Sequence, residues 1–239
     1  MKPIRIDPCP SPGHCPGYYW PSNLPAGHPQ ANQWIPCACT LARQAAAIKV
    51  TLPTGIRAMT FGSFQVENGN REAYELASQL ADDPWGQAWC WLVLIGANGR
   101  GKTHLAAAVV NALLDCGEPA FFEGVPALLD WLRDGYGEQS AEDFASRLAR
   151  VKQAPVLVLD DLGAESSGRD ERVSWAEDKL YQIVNDRLEN RLPTVYTTNL
   201  PLEPTPGYRC VPPRLASRLR DRSISRVKAI ACGDRRIRK

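Results

Sequence analysis

Gly96-Ala97-Asn98-Gly99-Arg100-Gly101-Lys102-Thr103 decides the fold of this chain. These residues satisfy the pattern G-x-x-x-x-G-K-[ST] at every fixed position. The glycines let the backbone turn tightly and aim its N–H groups inward at an anion. Lys102 is then placed to reach β- and γ-phosphates, and the Thr103 hydroxyl to ligate Mg²⁺. Working outward, Trp91-Leu-Val-Leu-Ile95 is an apolar run of strand length, and Thr103 to Leu114 is rich in Ala, Leu and Val. The loop therefore joins a strand to a helix N-terminus, where the helix dipole favours negative charge.

From Trp89 onward, strands and helices alternate. The pattern predicts strands over 90–95, 119–123, 155–160, 193–198 and 226–232, and helices over 102–115, 125–134, 140–152, 174–191 and 212–221. Such alternation signals an α/β fold with a parallel sheet and helices on both faces. Val156-Leu-Val-Leu159 is apolar without alternation, as a strand buried on both faces requires. Upstream, Leu41 to Lys49 reads as a short Ala-rich helix, 51–70 as irregular chain punctuated by Pro and Gly, and Arg71 to Asp82 as a helix ending at Asp83-Pro84.

Two acids, Asp160 and Asp161, follow the Val156–Leu159 strand. Ligands of open α/β sheets bind beyond the carboxyl ends of the strands. There Asp160 is suited to hold Mg²⁺ beside Thr103, and Asp161 to polarise an attacking water. Pro193 to Asn199 is a further buried strand that ends in a polar residue. Asn199 is suited to orient that water or touch the γ-phosphate; an Asn in a turn before Pro201 is the alternative. His104 follows the loop and invites a catalytic reading, against the plainer one of a first-turn residue facing a neighbouring strand. Arg214, Arg218 and Arg222 are spaced four apart and share one face if helical. They could complete a phosphate site in a neighbouring subunit, touch a nucleic-acid backbone, or form a solvated face.

The chain has 239 residues, 44% hydrophobic and 23% charged, with a net charge of +2. That is ordinary for a soluble globular protein, and no stretch is long and apolar enough to span a bilayer, so a cytoplasmic location is expected. The Pro-rich start has no apolar core of the signal-peptide kind. Charge is uneven: residues 209–239 hold eleven Arg or Lys against two Asp, leaving the remainder at −7. A basic segment on an acidic body points to nucleic acid, or to a solvated helix face and tail.

Residues 1–40 hold nine of the twenty prolines and four of the eight cysteines. A unit so poor in aliphatics needs a clamp to fold. Cys9, Cys15, Cys37 and Cys39 would supply four thiolates to a tetrahedral structural Zn²⁺, although C-x₅-C and C-x-C are looser spacings than the usual C-x₂-C. His14 is an alternative to Cys15, and His28 a more distant one. The division expected is a Cys-rich zinc module over 1–40, a linker over 41–70 and a nucleotide-binding domain over 71–239.

Taken in order, Gly-Ala-Asn-Gly-Arg-Gly-Lys-Thr-His-Leu, Leu-Val-Leu-Asp-Asp-Leu-Gly-Ala-Glu165, Lys179 to Leu188, Thr-Thr-Asn-Leu200 and Ser217-Arg-Leu219 resemble the DnaC-like/IstB-like branch of the AAA+ ATPases. The likeness runs from about Thr60 to the C-terminus, from Thr60-Phe-Gly-Ser-Phe64 to Gly233-Asp-Arg235. It implies a five-stranded parallel P-loop sheet with the phosphate-loop strand in the middle. It also implies Walker B acids at Asp160 and Asp161, sensor 1 at Asn199, an arginine finger at Arg218 acting on the adjacent subunit's ATP, and a second box VII arginine at Arg214. Two departures stand out. Many relatives carry Glu where this chain has Asp161, which implies slow hydrolysis, or hydrolysis stimulated by DNA or a partner. Little chain follows Arg222, so no sensor 2 arginine is assigned.

The function implied is ATP-dependent loading of a replicative DNA helicase. ATP, Mg²⁺ and Zn²⁺ would be the cofactors, with self-association into a ring or spiral and single-stranded DNA in its basic interior. The cysteine module, similar to Cys-rich segments of some DnaC-like proteins, would dock the helicase. The alternatives are a transposition helper that binds duplex DNA and a transposase, and a nucleotide-gated zinc adaptor with little turnover.

Overall fold

The computed structural model describes residues 15, 17–19, 35–137, 142–164 and 171–234. Near the start, β1 (Tyr18–Tyr19) and β2 (Ile35–Pro36) pair antiparallel, and Cys37 leads directly into α1 (Ala38–Thr51). A short α2 (Thr54–Arg57) and the longer α3 (Arg71–Asp82) follow. The α/β body then runs β3 (Trp91–Ile95), α4 (Lys102–Asp115), β4 (Ala120–Gly124), α5 (Val125–Asp134), α6 (Phe144–Gln153), β5 (Val156–Asp160), α7 (Glu171–Glu189), β6 (Thr194–Thr198), α8 (Pro213–Leu219) and β7 (Ser225–Ala229).

The five strands β3 to β7 form one parallel sheet in the order β4-β5-β6-β3-β7. The expected five-stranded parallel P-loop sheet is therefore present, with one correction. The phosphate-loop strand β3 is not in the middle; it lies one place from the β7 edge, and β6 is central. The physical reason is the path of the chain. After β5 it returns between β3 and β5, so the strand ending at Asn199 is wedged between the phosphate loop and the two acids.

Strand alternation feeds two cores. Trp91, Val93, Leu157, Leu159 and Tyr196 face α5, α7 and α8, whereas Leu92, Leu94, Val156, Val158 and Val195 face α1, α3 and α4. Where both faces are covered, at β3 and β5, the strands read as nearly unbroken apolar runs. The predicted boundaries of α4 and α5 match; the other elements shift by a few residues, as helix and strand ends do. α6 starts at Phe144 because Asp143 caps it, accepting from the Ser146 N–H at 2.8 Å.

Residues 41–70, read as a linker, are packed against the body. Ala45, Leu52 and Phe64 are buried in the core around α4, and Lys49 pairs with Asp115 at the end of that helix. Asn111 of α4 donates to the carbonyls of Ile56 (2.8 Å) and Met59 (2.9 Å). Fully buried Arg187 ties the bottom of the sheet together through the carbonyls of Ala154 and Pro193 and the Thr194 hydroxyl, each at 2.8 Å. Burial lowers its pKa to about 10, which still leaves it charged at neutral pH.

Candidate nucleotide site

The carboxyl ends of β3, β5 and β6 converge on a cleft of about 410 Å³ lined by Asn98 to His104, Asp160, Asp161, Thr197, Asn199 and Met59. The loop between β3 and α4 needs its glycines. Gly101 has φ +90 at the helix N-cap, and Gly96 has φ +155 with its missing Cβ only 2.8 Å from the Ile230 carbonyl. A side chain at either position would be strained or would displace the end of β7.

Lys102 is buried, and its Nζ donates to the carbonyls of Gly96 (2.8 Å) and Ala97 (2.9 Å) and to Asn199 Oδ1 (2.6 Å). The ammonium is thus anchored across the mouth of the loop. Asn199 in turn donates through Nδ2 to Asp161 Oδ1 at 2.9 Å. Thr103 Oγ1 donates to Asp160 Oδ2 at 3.2 Å, and Thr197 Oγ1 to Asp160 Oδ1 at 2.6 Å. The Thr197 oxygen also accepts from the Asp161 N–H at 2.9 Å. Side chains up to 97 positions apart thereby become one connected network.

Burial pushes the Asp160 carboxyl above the usual carboxylate range. The Asp161 charge adds to this, against hydrogen bonds from Thr197 and Thr103 and the charge of Lys102. A carboxylate burdened by burial and a like charge gains most from a cation. The Thr103 hydroxyl and Asp160 carboxylate also form the hard oxygen pair that Mg²⁺ takes alongside its waters. The donor set fits Mg²⁺. Asp161 adopts φ +61, a left-handed conformation that costs a non-glycine residue on the order of 1 kcal/mol. The Thr197 and Asn199 contacts hold it there.

His104 lines the cleft, but its Nε2–H donates to the Thr60 carbonyl at 3.0 Å and lies 3.2 Å from Ser63 Oγ. Its ring also packs edge-on against Phe64. A ring nitrogen so engaged fastens the 60–64 segment to the first turn of α4.

Arg214 and Arg218 do not line this cleft. Both sit on α8 against α7, where the Arg214 guanidinium lies 4.2 Å from the Tyr181 ring centroid and 3.7 Å from Asp178. Arg218 donates to the Tyr181 hydroxyl (3.2 Å) and Asn185 Oδ1 (3.4 Å). The pair borders a separate shallow hollow with Ser217 and Pro213.

Three of the four cysteines assigned to metal come together. The sulphurs of Cys15, Cys37 and Cys39 lie within 4.8 Å of one another. Tetrahedral Zn–S bonds of about 2.3 Å would space them roughly 3.8 Å apart. The Gly17 N–H donates to Cys15 Sγ at 3.4 Å. The donor set fits Zn²⁺. Cys9, His14 and His28 lie outside the described residues.

Sequence reasoning missed Thr197 and Met59. Thr197 reads as an ordinary strand residue, and only the β5–β6 register sets it beside Asp160. Met59 lay in a segment read as irregular; its nearness to the Thr60–Phe64 lead-in was the available signal.

A glycine-bent loop at a helix N-terminus, with acids and an asparagine on adjacent strand ends, defines a P-loop nucleotide-binding protein. Comparison with known proteins agrees. The family described as IstB-like ATP binding protein matches residues 56–239, and the chain belongs to that family, within the DnaC/IstB-like branch of the AAA+ proteins. It is 27% identical to the phage-like element PBSX protein XkdC of Bacillus subtilis over 71% of this chain and 65% of XkdC. It is 34% identical to the replicative helicase loader DnaI of the same organism over 45% of this chain and 32% of DnaI. The chain thus spans less than two thirds of either relative. A crystal structure of DnaI superposes with a TM-score of 0.58 at 26% identity, covering 77% of this chain and 94% of that one.

Proposed function

We propose that this protein is an ATP-hydrolysing switch that loads a replicative helicase onto single-stranded DNA. The observation that carries this reading is the separation of Arg214 and Arg218 from a cleft whose other parts are already linked. Within one subunit, Lys102, Thr103, Asp160, Asp161 and Asn199 form the network, while the two arginines wait on α8.

On this reading, the N–H groups of the loop receive the phosphates and Lys102 exchanges its contacts with Gly96 and Ala97 for β- and γ-phosphate oxygens. Thr103 and Asp160 would hold Mg²⁺, which would supply positive charge to neutralise those oxygens. Asp161 and Asn199 orient a water for in-line attack on the γ-phosphorus; the bond to the β–γ bridging oxygen breaks, and ADP and phosphate leave. Arg218 of an adjacent subunit stabilises the charge that develops, so ATP favours assembly into a ring or spiral. Asp161 is one methylene shorter than Glu, which makes turnover slow until DNA or a partner aligns the site. The zinc-held segment ahead of α1 grips the helicase. Similarity to DnaI supports this choice of partner.

The test is affinity capture of the full chain from its native cell in ATP, followed by a loading assay on a circular single strand. An ATP-dependent complex with a hexameric helicase, and helicase left on the circle, is expected. Capture of a transposase with duplex DNA would overturn the assignment.

A further inference from the structure

A second cleft, about 870 Å³, is larger than the nucleotide cleft and lies on the other side of the phosphate-loop strand. It lies where β7, the edge of the sheet, is left partly uncovered. Val227 pairs in register with Val93 and so shares its face, yet Val227 is 40% exposed whereas Val93 is fully buried. Ile95, Leu202 and Val227 line the groove, and Arg220, Arg222 and Arg226 stand around it.

The charge there is unbalanced. Arg220 lies 3.4 Å from Glu203 in an ion pair exposed to solvent. Arg226 is steadied by the carbonyls of Arg222 (3.0 Å) and Ser225 (3.1 Å) and sits 5.7 Å from the Trp89 ring centroid. The Arg222 side chain is exposed and has no acidic partner among the described residues. Three guanidinium groups thus face a single carboxylate. Ser225, 3% exposed, also lines the groove, and its hydroxyl has no hydrogen-bond partner. Leaving a buried hydroxyl unmatched is unfavourable, so it marks a place where an acceptor is wanted.

We propose that this groove is a track for the sugar-phosphate backbone of single-stranded DNA. Guanidinium forks and a hydroxyl are the donors that phosphodiesters take, and they position a strand without reading its sequence. The groove is far too large for a free phosphate, and its aliphatic floor suits deoxyribose and base faces. The region from 209 onward, with eleven basic residues against two acids, adds a field that attracts a polyanion. The inference rests on the loader reading and gives it a DNA-contacting surface. Because the track begins two residues beyond Arg218, strand binding and the subunit interface share one short segment.

The experiment measures binding of a fluorescent oligo-dT to the full chain in ATP across a salt series. Arg222→Ala/Arg226→Ala should weaken binding at least tenfold at low salt. It should also reduce the magnitude of the log–log salt slope by about 1.4, from roughly 0.7 per phosphate contact on a single strand. Arg222→Ala alone, on an exposed side chain, should give about half that change in slope. Ser225→Ala should weaken binding several-fold without lowering the melting temperature, a combination that a purely structural serine would not give. Lys228→Ala, two residues along β7 from Arg226 but outside the groove lining and paired with Glu72, should bind as wild type does. Unchanged affinity and slope in the double variant would overturn the proposal, as would an oligo-glutamate peptide that needs these arginines while DNA does not. If only the groove assignment is wrong, wild type and variant bind DNA equally and both still capture the helicase. Failure of wild type to bind the oligonucleotide at all would overturn both readings.

Discussion

Thr197→Val is the most informative single perturbation of the cleft. The two side chains have the same shape, and Thr197 is only 1% exposed, so packing is retained and only the hydroxyl is lost. That hydroxyl makes two bonds, one to the Asp160 carboxylate at 2.6 Å and one from the Asp161 N–H at 2.9 Å. A hydrogen bond to a charged group contributes about 1.5–3 kcal/mol, and an orphaned buried N–H costs on the order of 1–3 kcal/mol. Allowing for partial relaxation, a loss of about 2–4 kcal/mol follows. For a domain of this size that lowers the melting temperature by roughly 4–16 °C. Asp161, held at φ +61 partly by this bond, would relax and take its carboxylate off line, cutting turnover by tenfold or more while ATP binding through the loop persists. Thermal melts and steady-state phosphate release read the two effects, and Thr197→Ser should restore both. A Thr197→Val protein that melts within a degree or two of wild type and turns over equally would refute the idea that this bridge organises the acids.

Other expectations extend to the rest of the molecule. His104→Ala removes the tie to Thr60 and should weaken ATP binding about fivefold, near 1 kcal/mol, measured by nucleotide titration. Burial raises the Glu123 carboxyl, against a lowering by Arg150, so its ionisation opposes folding as pH rises. Glu123→Gln should match wild type in denaturant melts below about pH 4, near the unfolded value, and become the more stable protein as pH climbs through the raised one. Purified protein should carry about one zinc per chain by elemental analysis, and Cys37→Ser should lose it together with helicase capture while retaining ATP binding.

Much of the fold was legible because burial on both faces of a parallel sheet writes itself into the chain as apolar runs, and Val156–Leu159 is the clearest of them. The phosphate loop was legible for a different reason: positive φ and close backbone approach demand glycine at fixed spacing. What local sequence does not carry is strand order. The place of β6 at the centre, between Ile95 and Leu159, depends on pairings across scores of residues, and with it the junction of Asn199 with Lys102 and of Thr197 with Asp160. The same limit explains residues 41–70. Ala45, Leu52 and Phe64 are too sparse to announce a buried face, yet each finds α4. For Arg214 and Arg218 the spacing indicated a shared face, and the structure adds what that face rests on, the Tyr181 ring.

The central claim is that a neighbour completes the nucleotide site, and mixing two inactive variants tests it most directly. Lys102→Ala should lose ATP binding, and Arg218→Ala should bind ATP but not hydrolyse it. In a mixed assembly, some interfaces pair an intact loop from the Arg218→Ala subunit with an intact arginine from the Lys102→Ala subunit. Partial return of phosphate release on mixing is the predicted result; co-assembly without any return, or full activity of Arg218→Ala alone, would contradict it.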